Sequence, residues 1–166
     1  MLISSSTRIR VSSTVLAQCS RVFKAMFSDR FQEGIRLASL SKIEKELPDD
    51  GNNHGMAMLL MCKVMHQVNH SMPHTLGEDE VVDLACMVDK YECQEALRFA
   101  AHYYTFKHKD CDNSMTRAKL TNAAALFGNK KLFADIRVNE VLLLSPGTIF
   151  NGLQFYAPGI RNLFGT

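Results

Sequence analysis

The chain has no run of 18 apolar residues, so no membrane-spanning helix is expected. It has no internal repeat and no low-complexity segment. It has no dense basic stripe: the nearest approaches are Lys107-His108-Lys109 and Lys130-Lys131, without interleaved aromatics, which argues against a nucleic-acid partner. It lacks a glycine-rich phosphate loop, and Gly128-Asn129-Lys130-Lys131 has the wrong spacing for one. Ser145 stands outside any Gly-x-Ser-x-Gly context, so the nucleophile turn of a hydrolase is missing. At the N-terminus, Leu2-Ile3 followed by serines is not the apolar core of a secretory leader. The five cysteines are an odd number at irregular spacing, which predicts reduced thiols in the cytoplasm or nucleus rather than a disulfide framework.

What is present is an ordinary globular balance: 166 residues, 46% hydrophobic, 22% charged, net charge +2. That length supports one domain, or one domain with an appendage. Thr7, Ile9 and Val11 alternate with polar neighbours and suit a strand, so residues 1–11 read as two short strands. From Val15 the period becomes helical: Val15, Leu16, Cys19, Val22, Phe23, Met26 and Phe27 form one apolar face. Ser12 and Ser20 are predicted to cap two successive helical pieces within residues 12–28.

Residues 29–34 read as a loop. Residues 35–45 fit either a strand or a helical turn before a strand ending at Leu47, and Pro48-Asp49-Asp50-Gly51 reads as a turn. Helices are expected over 53–68, 79–89 and 93–107, with Thr75 capping the second and Glu78 as its capping-box partner. After a polar linker at 110–114, residues 115–127 and 130–144 read as a helix pair joined at Gly128-Asn129.

Three motifs in order carry a family resemblance. VLAQCSRVFKAMF at 15–27 with FQEG at 31–34, LPDDGNNHGMAMLL at 47–60, and LACMVDKYECQEAL at 84–97 together resemble the BTB/POZ domain. The likeness covers residues 2–107 and is strongest toward the divergent BTB proteins of filamentous fungi. Arg21 replaces the usual proline, Ser12 replaces the histidine of many members, and the opening strand is reduced to Met1-Leu2-Ile3. That reduction implies a truncated start, a strand supplied by another chain, or weaker folding.

The resemblance implies an α+β, mostly helical fold: a BTB/POZ-like cluster of helices flanked by a small short-stranded sheet, over residues 1–109. A helical extension and a poorly assigned tail follow at 110–166. It also implies a non-catalytic protein–protein interaction module that forms a homodimer, works as an adaptor, or both, with no cofactor. Family dimers use the first helix and, in some members, an exchanged N-terminal strand. In BTB adaptors a hydrophobic-x-acidic triplet after the second helix contacts the cullin scaffold of a ubiquitin ligase. Phe31 and Glu33 match that triplet. An aromatic anchor in a pocket supplies a hot spot of roughly 2 kcal/mol, and a carboxylate beside it orients the partner. The plainer reading packs Phe31 on its own domain.

The other reading is a small helical metal-binding protein or enzyme built on Cys62, His66, His70 and His74. These recur every four residues and would stack on one helix face. A straight row, however, rises about 5.4 Å per turn and does not converge on one ion. Met56, Met58, Met61, Met65 and Met72 read either as an adaptable binding surface or as a core helix. The acidic groups Asp49-Asp50 and Glu78-Asp79-Glu80 sit in a turn and at a helix start, not across a cleft.

Overall fold

A computed structural model describes residues 9–44, 54–108, 113–131, 133 and 134. Seven α-helices run in order through them: α1 Ser13–Cys19, α2 Arg21–Met26, α3 Gln32–Leu40, α4 His54–Met65, α5 Glu78–Lys90, α6 Gln94–Phe106 and α7 Ser114–Leu126. A 3-10 turn, Asn69–Ser71, follows α4. The described residues are therefore mostly helical.

There is no strand among the described residues, which corrects the expected flanking sheet. Residues 9–11, expected as the end of a strand, are irregular, and the rest of that strand and the one ending at Leu47 lie outside the described residues. The loop expected over 29–34 ends early. Gln32 opens α3, which takes in Ile35 and Leu37, so the strand alternative for this segment fails.

Helix starts follow local chemistry. Ser12 Oγ accepts from the Val15 amide at 3.5 Å, and Ser20 Oγ accepts from the Phe23 amide at 3.0 Å. Each hydroxyl thereby satisfies an amide that has no carbonyl partner inside its own helix. Helix α5 starts differently from expectation. Gly77, not Thr75, is its N-cap, and its amide donates to Glu80 Oε2 at 2.7 Å. The helices α4, α5 and α7 each end by the same device. Gln67, Glu92 and Gly128 take left-handed backbone with φ of 58°, 46° and 65°. The next amides, those of Val68, Cys93 and Asn129, turn back to Lys63, Val88 and Ala124 carbonyls.

Helix α5 lies at the centre, packed against α4, α6 and α7. Val81, Leu84, Ala85, Met87 and Val88 are buried there, each large side chain contributing roughly 1.5–3 kcal/mol. Helix α4 adds Met58, Leu60, Met61, Cys62 and Met65 to the same core, so its methionines serve mainly as packing, while Met56 stays exposed. Helix α7 joins through Leu120 and Ala123, and its C-cap residue Phe127 joins beside them. Helix α6 clamps the segment before α5: Tyr103 and Tyr104 hydroxyls donate to the His74 and Pro73 carbonyls, and His108 Nε2 lies 2.7 Å from the Leu76 carbonyl.

The stripe from Val15 to Phe27 faces inward. Leu16 and Phe23 are buried, and Val15, Cys19, Val22, Met26 and Phe27 pack against the core. Phe23 stacks on Tyr91 with ring centroids 4.5 Å apart. Ser20 Oγ, besides capping α2, donates to the Tyr91 carbonyl.

Candidate protein-binding edge

Phe31 sits at the N-cap of α3 in extended backbone, and its carbonyl accepts from the Ile35 amide at 3.1 Å. Phe31 is 50% exposed and Ile35 is 54% exposed. Four residues apart across the first turn, the two stand on the same side and form an apolar pair in solvent. Glu33 lies in that first turn, partly buried, where the free amides of the helix start favour a carboxylate. A spacing of two residues does not bring Phe31 and Glu33 to one face, so the expected pair is a corner of α3 rather than a flat patch. Ile35 joins Phe31 only because α3 is helical from Gln32, where the sequence suggests a loop.

Gly34 fixes this corner. It is buried, and a Cβ there would lie 2.7 Å from the Phe27 carbonyl carbon and closer still to the Ser28 carbonyl oxygen. Only glycine lets the α3 backbone approach the end of α2 so closely. The glycine of the FQEG motif thus sets the angle at which Phe31 and Ile35 leave the domain.

Leu37, on the same helix, also lines an open groove of about 1020 Å³. Ala17 and Phe27 line it too, Arg21 and Lys24 stand on the α2 side, Glu92 lies just before α6, and Glu95 lies in its first turn. A groove this open, with cations along one wall and carboxylates along the other, accommodates an extended polypeptide better than a small ligand, whose sites are enclosed.

The Cys/His row does not converge. Helix α4 ends at Met65, so only Cys62 of the four lies on it, and His70 falls in the 3-10 turn. Cys62 is buried, and burial pushes its thiol up to about 11. His66 uses both ring nitrogens on backbone: Nε2 accepts from the Ser12 amide at 2.9 Å, and Nδ1 lies 2.8 Å from the Cys62 carbonyl. An amide can only donate, so Nε2 is the acceptor and Nδ1 carries the hydrogen. Among the described residues no group of three or more His, Cys, Asp or Glu is placed to hold a metal ion.

The Glu78-Asp79-Glu80 run, in turn, is structural. Glu80 holds the Gly77 amide, Glu78 accepts from the Thr116 hydroxyl, and Lys119 Nζ reaches Asp79 at 2.7 Å and Glu78 at 3.4 Å. The hydrogen bond from Thr116, then Lys119, holds the Glu78 carboxyl below its ordinary value, against some desolvation. Asp49 and Asp50 lie outside the described residues. Burial also pushes the Cys93 thiol up to about 12, so it is a poor nucleophile at neutral pH.

No family model matches this chain, and no curated protein or solved structure matches it either.

Proposed function

We propose that this chain is a non-catalytic protein–protein interaction module of the BTB/POZ type, acting in the cytoplasm or nucleus, whose α3 corner takes a protein partner. The observation that carries the reading is the exposed Phe31–Ile35 pair, held at a set angle by the close approach of Gly34 to Ser28. An apolar anchor on a rigid element is the usual form of a binding hot spot. Three features support the family type: the α1–α2 pair with its two serine caps, the Lys90-Tyr91 end of α5 stacked back on Phe23, and α7 following α6.

The partner class implied by the resemblance is a cullin scaffold. Phe31 is the anchor, Ile35 widens it, and Glu33 supplies the carboxylate that selects a basic or amide-rich surface. None of these residues belongs to the buried core.

A hydrogen-exchange footprint tests this reading. With a purified cullin N-terminal domain in excess, slowed exchange is expected over residues 31–37 and along the groove wall at Ala17 to Lys24. Unchanged exchange in α3 under saturating conditions would reject the proposal.

A further inference from the structure

Helix α6 has two apolar sides. Leu97, Ala101, Tyr104 and Thr105 are buried in the core. On the other side Phe99 is 88% exposed, Tyr103 43% and Phe106 49%. These aromatics fall four and three residues apart, so they run along one face. A helix on a protein surface needs only one apolar side, and a nearly bare phenylalanine needs an explanation.

The ends of this stripe differ in charge. Glu95, exposed, begins it. Its pair with Arg98 within the helix is exposed and weak, so its carboxylate remains reachable. Lys107 ends the stripe, with its ammonium 5.3 Å from the centre of the Tyr103 ring. His102 stacks on Phe106 beside it, centroids 5.8 Å apart. A helix that is acidic at its start and basic at its end complements its own antiparallel copy. In that arrangement Phe99 faces the Tyr103 of the second copy, and Glu95 faces the second copy's Lys107. Such a contact is isologous and closes on itself. Helix α1, which the family resemblance would use for pairing, instead turns polar Thr14 and Gln18 to solvent.

We propose that α6 is a self-association face, on which a second copy of this chain packs its own α6 antiparallel. Exposed aromatics contribute at most about 150–250 Å² each, which places the contact in the small class below about 1,200 Å². The dimer is therefore weak and concentration-dependent. It goes beyond the α3 reading and does not use Phe31, Glu33 or Ile35; Glu95, which also lines the groove, is the one residue common to both.

Sedimentation velocity on the whole chain, from about 5 to about 500 µM, covers the range in which so small an interface associates. The wild type is expected to shift from monomer to dimer mass across it. Phe99→Glu should remain monomeric throughout, with unchanged circular dichroism and thermal midpoint because the ring touches solvent. Glu95→Lys and Lys107→Glu should each weaken the dimer about tenfold, and the double variant should restore it, since both copies then carry the reversed pair. A wild-type monomer throughout, a dimer indifferent to Phe99→Glu, or a double reversal that fails to restore would each overturn the proposal. Phe31→Ala should leave the mass unchanged, so failure here leaves the α3 reading standing.

Discussion

The rings of Phe23 and Tyr91 lie stacked, 4.5 Å between centroids and 9° from parallel, and join the first helical pair to the end of α5. The hydrogen bond from Ser20 Oγ to the Tyr91 carbonyl spans 71 residues of chain at the same junction. Truncating either ring to alanine is expected to destabilise the domain by about 3–5 kcal/mol, the usual loss for a buried aromatic. Because the rings touch, the double variant should fall short of the sum by about 0.5–1.5 kcal/mol. Urea unfolding of the four proteins measures both quantities, and strict additivity would deny the contact.

Gly34→Ala sets two effects against each other. Alanine favours a helix interior over glycine by about 1 kcal/mol. The added methyl, however, meets backbone atoms of Phe27 and Ser28 that no side-chain rotation can move. The clash is expected to win, with a net loss of about 1–3 kcal/mol. Faster hydrogen exchange confined to α2 and α3 would locate the damage.

The acidic limb of stability should depend on Glu78. Its folded carboxyl titrates below the ordinary 4.5, first through the Thr116 hydroxyl and then through Lys119. A depressed carboxylate contributes stability that is present above its unfolded value and lost as pH falls through its folded one. Thermal midpoints should therefore drop as pH falls below about 4.5 in the wild type. Thr116→Val and Glu78→Gln should both flatten that drop. An unchanged slope in both would mean that the Thr116–Glu78 hydrogen bond is not formed in solution.

Gln67→Gly is expected to stabilise the protein by roughly 0.5–1 kcal/mol, because glycine takes left-handed backbone without the steric penalty of a side chain. Gln67 holds φ 58° after α4 and is exposed. Its substitution changes little else. The shift in urea midpoint, read beside a Gln67→Ala control, isolates the backbone effect.

Much of the helical plan was legible because local chemistry and period agreed. Ser12 and Ser20 precede apolar positions at helical spacing, and both cap as expected. Helix α3 was not legible. Ile35 and Leu37 alternate as a strand would, and only Gly34 of the helix is buried, so no apolar stripe marked its period. The start of α5 departs from the Thr75–Glu78 capping box that the sequence suggests, because Glu80 meets the Gly77 amide directly. Phe31 and Glu33 were visible as a short motif, yet Ile35 joins Phe31 only once α3 is known to be helical. The outer stripe of α6 was masked by its inner one, since apolar residues on both sides blur the amphipathic signal. The Cys62–His74 row assumed one uninterrupted helix, and the chain turns after Met65.

Calorimetric titration with a purified cullin N-terminal domain tests the α3 reading most directly. Saturable one-to-one binding is expected for the wild type, weakened about thirtyfold or more by Phe31→Ala, the consequence of removing an anchor of roughly 2 kcal/mol. Ile35→Ala and Glu33→Gln should each weaken it by a smaller factor, and neither Phe31→Ala nor Ile35→Ala should lower the thermal midpoint by more than a surface substitution does. Absence of heat from the wild type, or equal affinity for wild type and Phe31→Ala, would contradict the account.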